Sequence, residues 1–267
     1  MQAPVVFITG ASSGLGEALA RRHAAQGHRV VLFARRSTVA LARELEAAGS
    51  PGAICFRGDV VRRADLDRAV RAALKRFGSI DIVYANAGFG VRGRIDELDL
   101  ARWRAQQAVN VEGLLSTVWA TLPALKASHG RLGLVGSVLG FGVVPGNGAY
   151  AASKFAMRAI SQALYAELKS DGVSVTHIAP GFFESQFRGR DDKGKFDPKA
   201  PDTAPKGWRI PAAKAAEYTA VAVWARKREA VFPLHGQLTA FLFRFFPALA
   251  LNLAGRARAR ALASKKS

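Results

Sequence analysis

The chain has 267 residues, 49% of them hydrophobic and 22% charged, which fits one large α/β domain or two small ones and excludes a disordered, collagen-like or heptad-dominated protein. Its 39 Lys and Arg against 20 Asp and Glu give a formal charge of +19, which raises nucleic acid or an anionic membrane surface as partners. The single cysteine, Cys55, cannot form an intramolecular disulfide, and the five His form no cluster at metal-ligand spacing. We therefore expect a reducing compartment and no metal.

The sequence predicts neither a signal peptide nor a transmembrane helix. The first residues, MQAPVVFITG, lack a basic region followed by an apolar one and are typical of a first strand. The most apolar later stretch, 238–253, is interrupted by Arg244, Pro247 and Asn252 and is shorter than the roughly 20 residues that span a bilayer. We therefore expect a cytoplasmic protein.

Short apolar runs rich in β-branched residues alternate with longer helical patterns. The predicted strands are 4–8, 29–33, 53–56, 80–84, 131–137 and 173–178, with 231–234 as a candidate last strand, and the predicted helices are 16–26, 63–77, 101–128, 151–170 and 212–228. This alternation predicts an α/β fold, a doubly wound parallel sheet of about seven strands with helices on both faces. In such a fold the ligand crevice lies at the carboxyl ends of the strands.

Two segments depart from this alternation. Residues 187–211 are polar and rich in Gly, Pro, Lys and Asp, which predicts a substrate loop or lid within 182–211. Residues 238–267 are apolar first and basic afterwards. We expect 1–267 to form one domain, with the loop as an insertion and 238–267 as an extension.

A glycine-rich loop, TGASSGLG at 9–16, follows the first strand. Gly10 allows a sharp turn, Gly14 lets the backbone approach a pyrophosphate, and Gly16 permits close packing of helix on sheet. The residues placed to bind such an anion at the start of a helix are Gly10, Ser12, Ser13, Gly14, Leu15 and Gly16. A glycine-rich turn without a ligand has the same local sequence, so motifs further along must separate the two possibilities.

A second group of polar residues lies in the later half of the chain. Tyr150 and Lys154 are four residues apart, so on a helix they project from one face towards the same spot. One such pair is weak evidence, but it follows Ser137, at the end of the fifth predicted strand, and Asn110, within the helix predicted at 101–128. These four residues are therefore candidates for one catalytic group.

The glycine loop, the Asn-Ala-Gly run at 86–88, the thirteen-residue separation of Ser137 and Tyr150, and the Tyr-x-x-x-Lys pair resemble the short-chain dehydrogenase/reductase family. The resemblance covers nearly the whole chain. It implies a single Rossmann-type sheet, a nicotinamide cofactor and a homodimer or homotetramer. It also implies a catalytic tetrad of Asn110, Ser137, Tyr150 and Lys154.

The residues after the second strand bear on the choice of cofactor. In the resembled family an acidic residue at the end of this strand selects NAD, whereas a basic residue one place later selects NADP. Ala34 stands where the acid would be, and Arg35 and Arg36 follow it. A guanidinium can hold the 2′-phosphate through two hydrogen bonds, so we expect NADP(H), with Arg35 as the main contact. The other possibility is that both arginines are solvated loop charges.

The resemblance implies further cofactor contacts at other strand ends. They are Asp59 and Val60 at the adenine, Asn86, Ala87 and Gly88 beside its ribose, and Pro180, Gly181, Phe183 and Ser185 at the nicotinamide. Ser185 stands where the family has Thr, so the hydroxyl is kept and a methyl is lost. Asn86 could instead be a structural side chain that braces the central strand.

The resemblance also implies a role for each member of the tetrad. Tyr150 would donate a proton to a substrate carbonyl, while Lys154 would favour its phenolate and hold the nicotinamide ribose. Ser137 would hydrogen-bond the substrate oxygen. Asn110, through its backbone and amide, would position a water that relays protons to Lys154.

The residues expected on the substrate side are Ser137, Leu139, Asn147, Tyr150 and Phe182, with Val138, Phe141 and Val143 beside them. Most are apolar, which favours a lipophilic carbonyl or alcohol, although the same side chains could simply pack in the core. We therefore predict an NADPH-dependent reductase of ketones or aldehydes that also works in reverse. The alternative is a nucleotide-sensing or membrane-surface interaction protein on the same fold.

Charge alone does not predict nucleic-acid binding, because no helix-turn-helix, zinc-finger or RNA-binding motif accompanies it. The charge is also unevenly placed, since no acidic residue follows Ala230. The 238–267 extension could roof the pocket, pack on a partner subunit, or lie in a membrane interface with its basic residues facing anionic lipid. A merely solvated basic end is a fourth possibility.

Overall fold

The computed structural model describes residues 2–185 and 207–263, with side chains as far as Ala257. One parallel sheet runs through it in the order β3-β2-β1-β4-β5-β6-β7. The strands are β1 (Val5–Thr9), β2 (Arg29–Ala34), β3 (Ala53–Arg57), β4 (Ile82–Ala85), β5 (Arg131–Val135), β6 (Ser174–Pro180) and β7 (Glu229–Phe232). This confirms the predicted Rossmann-type fold. Most of the predicted loop, 186–206, lies outside the described residues.

Helices cover both faces of the sheet. They are α1 (Gly14–Ala25), α2 (Val39–Ala47), α3 (Arg63–Phe77), α4 (Leu100–Gln107), α5 (Gly113–Ser128), α6 (Gly148–Glu167), α7 (Ala212–Trp224), α8 (Leu234–Phe245) and α9 (Pro247–Ala263). Alternate residues of each strand enter opposite cores, so Phe7 packs with α3, α5 and α6, whereas its neighbour Ile8 packs with α1, α2 and α7. Strands buried on both faces explain the continuous apolar runs in the sequence.

The chain reverses its winding direction between β1 and β4. β1 pairs with β2 on one side and with β4 on the other, so the connections on the two sides leave the sheet in opposite directions. A crevice opens where they diverge, at the carboxyl ends of the strands. The glycine loop after β1 and the Asn-Ala-Gly run after β4 therefore face each other.

The helix predicted at 101–128 is interrupted. Residues 108–112 form a π-helical turn between α4 and α5, in which the Gly113 N–H bonds to the Ala108 carbonyl five residues back. Asn110 lies in this turn instead of in a regular helix. Such a turn often marks a functional site because it redirects one side chain.

Among the strands whose bounds differ from the prediction, β5 and β7 border the site. β5 stops at Val135, so Ser137 begins a separate 3₁₀ turn at 138–140. β7 covers 229–232 instead of 231–234, because Pro233 has no N–H to continue the ladder and α8 begins directly after it. α7 accordingly ends at Trp224, where the chain turns through Arg226, at φ +53°, to enter β7.

The extension after β7 forms two helices, α8 and α9. The buried side of this pair, Ala240, Phe243 and Ala250, packs on Phe141 and Ala179. Phe243 occupies the space that a side chain at 142 would need, and that position is glycine. Within the described residues, neither helix has the length and apolarity required to cross a bilayer.

Candidate active site

The glycine loop turns tightly out of β1. Gly10 and Gly14 have φ values of +67° and +58°, which side-chain-bearing residues rarely adopt. α1 begins at Gly14, and the side chain of Ser13 does not bond to the first N–H groups of that helix. Those N–H groups point at the crevice with the positive end of the helix dipole, which suits an anion.

Gly16 is required by packing. A Cβ at this position would collide with the carbonyl oxygen of Gly10 and lie 2.7 Å from the amide nitrogen of Asn86. That amide donates to the Thr9 carbonyl at 2.9 Å, and the Thr9 hydroxyl accepts the N–H groups of Asn86 and Ala87 at 3.0 and 3.1 Å. Asn86 thus braces β1 against β4, the structural alternative left open by the sequence.

The two arginines after β2 are placed differently. Arg36 donates to the carbonyl oxygen of Ser12 at 3.0 Å and to its hydroxyl at 3.1 Å, so its guanidinium rests on the glycine loop. The Arg35 carbonyl accepts a hydrogen bond from Arg57 at 3.2 Å. Ala34 is buried and leaves the crevice free of an acidic side chain here. The Arg36 side chain therefore contacts the glycine loop.

The segment after β3 is held in place by hydrogen bonds from its backbone N–H groups. Gly58 donates its N–H to the Ala34 carbonyl, and a Cβ at Gly58 would meet the Phe33 ring. The Asp59 N–H donates to the Asp65 carboxylate at 3.0 Å, and the Val60 side chain is buried. Asp59 and Val60 therefore stand at the carboxyl edge of the sheet.

Tyr150 and Lys154 share one face of α6. The Lys154 ammonium donates to the Val135 carbonyl at 2.9 Å and lies 5.5 Å from the centroid of the Tyr150 ring. The lysine is only 4% exposed. Burial lowers the pKa of Lys154 to about 7, because an ammonium loses hydration there. Its charge therefore changes near neutral pH.

The Asn110 side chain makes three hydrogen bonds that the sequence did not predict. Its amide oxygen accepts the Phe89 N–H at 3.0 Å, and its amide nitrogen donates to the Phe89 carbonyl at 2.9 Å and to the Ser153 hydroxyl at 3.0 Å. Both amide hydrogens are therefore used within the protein, so a water held by this side chain would have to donate to the amide oxygen.

Ser137 lies in a turn that packs on α6. Its hydroxyl oxygen accepts the Leu139 N–H at 3.1 Å, and the hydroxyl hydrogen is free to rotate towards another acceptor. A Cβ at Gly140 would meet the Lys154 carbonyl at 2.9 Å, so the turn lies directly against the helix that carries Tyr150. Asn147 is the residue immediately before α6.

The loop after β6 lies beside the glycine loop. The Gly181 N–H donates to the Phe232 carbonyl at 2.7 Å, and the Glu184 N–H donates to the Ile210 carbonyl at 3.0 Å. The Ser185 Cβ lies 3.3 Å from where a Cβ on Gly14 would be. The loops predicted to hold the pyrophosphate and the nicotinamide therefore lie close together.

The sequence did not predict an aromatic cluster beside this loop. The ring of His235 lies 6.0 Å from that of Phe182 and 4.9 Å from that of Trp208. Its Nε2 is buried and has no hydrogen-bond partner among the described residues. His235 follows β7 by three residues. Since the ligand crevice lies at the carboxyl ends of the strands, His235 would have been a candidate if β7 had been predicted at 229–232.

A charged cluster around the buried His177 lies behind the site and was also not predicted. The Glu229 carboxylate is 3.6 Å from the His177 imidazole, 3.0 Å from Arg244 and 3.8 Å from Arg158. The imidazole and the Arg244 guanidinium hold the pKa of Glu229 at about 2, against the effect of burial. Nothing in the spacing of these residues reveals that they meet.

In the part of the chain that the structure describes, no three His, Cys, Asp or Glu side chains are grouped to hold a metal ion.

Comparisons with known proteins agree with this geometry. A sequence model described as short chain dehydrogenase matches residues 4–195. An uncharacterized oxidoreductase of Staphylococcus epidermidis is 35% identical over 192 residues, 72% of this chain and 83% of its own length.

Two solved structures are similar across most of their length. A short-chain dehydrogenase/reductase of Burkholderia phymatum in complex with NAD superposes with a TM-score of 0.81 at 25% identity, covering 90% of this chain and 92% of that one. A short-chain dehydrogenase of Sphingobium yanoikuyae in complex with NADPH gives 0.74 at 29% identity, covering 87% and 89%. The matched residues span most of the chain, which therefore belongs to the short-chain dehydrogenase/reductase family and is an oxidoreductase.

Proposed function

We propose that this protein is an NADPH-dependent reductase that converts a lipophilic ketone or aldehyde to an alcohol and also catalyses the reverse reaction. The observation that carries the proposal is the buried Lys154 ammonium, held between the Val135 carbonyl and the Tyr150 ring with the Ser137 turn against the same helix. A buried lysine is costly to a fold and is typically retained for chemistry.

The crevice fits a dinucleotide. Gly14 and Gly16 leave space that a Cβ would fill, and the start of α1 offers N–H groups to a pyrophosphate. Ser185, Gly181 and Asn86 would line the path of the cofactor along the strand ends.

The preference for NADPH rests on this chain's own residues, because the similar structures contain either NAD or NADPH. Arg36 already lies on the Ser12 carbonyl, at the loop that would hold the phosphates. A 2′-phosphate would draw this guanidinium into a charge-assisted hydrogen bond, with Arg35 close by. No carboxylate at position 34 repels it.

The catalytic residues act on the substrate carbonyl. When bound, the reduced nicotinamide supplies a hydride to the carbonyl carbon. Tyr150 donates its phenolic proton to the carbonyl oxygen, and the Ser137 hydroxyl donates a hydrogen bond to the same atom. Protonated Lys154 lowers the cost of leaving a phenolate behind, because the two opposite charges attract each other at short range.

Apart from Ser137, Asn147 and Tyr150, the substrate side is apolar. Leu139, Phe182 and Trp208 offer carbon surface, which favours a lipophilic molecule. The His235 ring packs beside Phe182 and Trp208 on this side. The protein would work in the cytoplasm as a homodimer or homotetramer, which light scattering of the purified protein measures.

The test uses the purified full-length protein with a panel of carbonyl compounds, followed by the absorbance of NADPH and, in parallel, NADH. We expect turnover with NADPH, and Tyr150→Phe should reduce kcat by about 10²–10⁴-fold. NADPH binding, measured by nicotinamide fluorescence, should be nearly unchanged in this variant. Equal turnover by the wild type and Tyr150→Phe would overturn the assignment.

A further inference from the structure

The solvent-exposed sides of α8 and α9, together called the outer face here, carry many apolar side chains. Eight large side chains between positions 234 and 253 are each 49% to 69% exposed. They are Leu234, Leu238, Phe241, Phe245, Phe246, Leu249, Leu251 and Leu253. Isolated exposed apolar residues are ordinary, but a group of this size on two consecutive helices marks an interaction surface.

The rings on this face are continuous. The centroid of Phe241 lies 4.9 Å from that of Phe245 and 6.1 Å from that of Phe246. The opposite side of the pair already packs on the domain, through Ala240, Phe243 and Ala250. The outer face is therefore additional to the contacts that hold the helices in place.

The charge of the residues around this face favours one kind of binding partner. After Glu229 the sequence has no acidic residue and six basic ones: Arg244, Arg256, Arg258, Arg260, Lys265 and Lys266. Arg244 is paired with Glu229, whereas Arg256 is exposed at the end of the apolar face. A second copy would bring the same cations against themselves, but an anionic bilayer offers both hydrocarbon and opposite charge.

We propose that the outer face of α8 and α9 binds the surface of an anionic phospholipid bilayer. The helices lie in the plane of the interface, because they are 12 and 17 residues long and neither described helix can span a membrane. Phe245 and Leu249 enter the boundary of the acyl chains, while the exposed Arg256 meets the headgroups.

This binding also sets the orientation of the active site. Gly236, in the first turn of α8, lies beside Gly181, and a Cβ on Gly236 would be 3.2 Å from Val138. The first turn of α8 therefore lies against the substrate side of the crevice. Docking itself is independent of the proposed reaction and is measured without cofactor or substrate.

The experiment is co-sedimentation of the full-length protein with vesicles of phosphatidylcholine alone or of phosphatidylcholine with phosphatidylglycerol. We expect about tenfold tighter binding to the anionic vesicles, weakening as salt is added, because surface charges are screened within about 8 Å at physiological ionic strength. The double variant Phe245→Ser, Leu249→Ser should lose this binding.

The matched control is Leu100→Ser, Val221→Ser, which removes two similarly exposed side chains from α4 and α7 and should bind as the wild type does. Arg256→Glu serves as a second variant that leaves the apolar face intact and should weaken binding to anionic vesicles alone. Thermal unfolding of each variant shows that it is folded.

Equal pelleting with both vesicle types, or by wild type and the Phe245, Leu249 variant, would overturn the proposal. So would a fall in oligomeric mass in that variant, measured by light scattering without lipid, accompanied by unchanged vesicle binding. That second result would assign the face to a second copy of the chain.

Discussion

The two halves of the crevice are built by different means. Around β1 and β4 the chain is held by backbone and by missing side chains, as where Gly16 makes room for the Gly10 carbonyl and Asn86 binds Thr9. Around β5 to β7 it is held by ionisable groups, above all the buried Lys154 and the partly buried Glu229. The half around β1 and β4 should therefore be sensitive to changes in side-chain size. The half around β5 to β7 should be sensitive to changes in charge and pH.

The largest effect should come from Lys154→Met, which removes the buried charge and keeps the length of the side chain. We expect kcat for carbonyl reduction to fall by about 10²–10⁴-fold, because Tyr150 loses the cation that tunes it. The free energy of unfolding should stay the same or rise, because the folded protein no longer holds a desolvated ammonium.

Steady-state kinetics with NADPH and urea unfolding measure both quantities. Lys169→Met is the control, because Lys169 is exposed. A clear loss of stability in Lys154→Met would show that the charge holds the fold together, and the two halves would then differ less than proposed.

Gly16→Ala should disturb the half of the crevice around β1 and β4. Its Cβ would collide with the Gly10 carbonyl and crowd the Asn86 amide, neither of which can move without disturbing β1 or β4. We expect a loss of about 1–3 kcal/mol in the free energy of unfolding, together with weaker NADPH binding. Chemical denaturation measures the first and fluorescence titration the second.

Gly255→Ala is the matched control, because nothing lies within 4 Å of a Cβ at Gly255 and the residue is helical. It should leave stability unchanged or slightly raised. If both alanine variants behaved alike, close packing at Gly16 would not be what holds the loop.

Arg36→Ala should raise the KM for NADPH by about tenfold and leave that for NADH nearly unchanged, since one charge-assisted contact to a phosphate is lost. The comparison is Arg35→Ala. The Arg36 guanidinium contacts Ser12 in the glycine loop, so we expect the larger effect at Arg36. A larger effect at Arg35 would restore the ranking that the sequence alone suggested.

Features that depend on local sequence were predicted, and features that depend on distant contacts were not. Strands and helices with regular apolar periods were predicted well, and α3 covers 63–77 as expected. The glycine and Tyr-Lys spacings were visible because both sites are local in sequence. The Asn110 turn was not, since its three hydrogen bonds go to Phe89 and Ser153, which are distant in sequence.

Contacts between distant elements account for the other differences. Whether Arg35 or Arg36 reaches the glycine loop depends on the path of the chain after β2, which spacing does not reveal. The meeting of His177 with Glu229 depends on the pairing of β6 with β7. The burial of Phe243 against the 141–144 segment likewise requires the tertiary fold.

The smallest effect should be a pH dependence of stability from Glu229. Its pKa is depressed from 4.5 to about 2 in the folded protein, so its contribution is present above pH 4.5 and is lost as the pH falls towards 2. Because the carboxylate is partly solvated, we expect only about 1 kcal/mol from it. Urea unfolding of wild type and Glu229→Gln across this range measures the difference, which should shrink as the pH falls. A difference that stays constant from neutral pH to pH 2 would mean that Glu229 acts through packing, and that charge does not distinguish this half of the crevice.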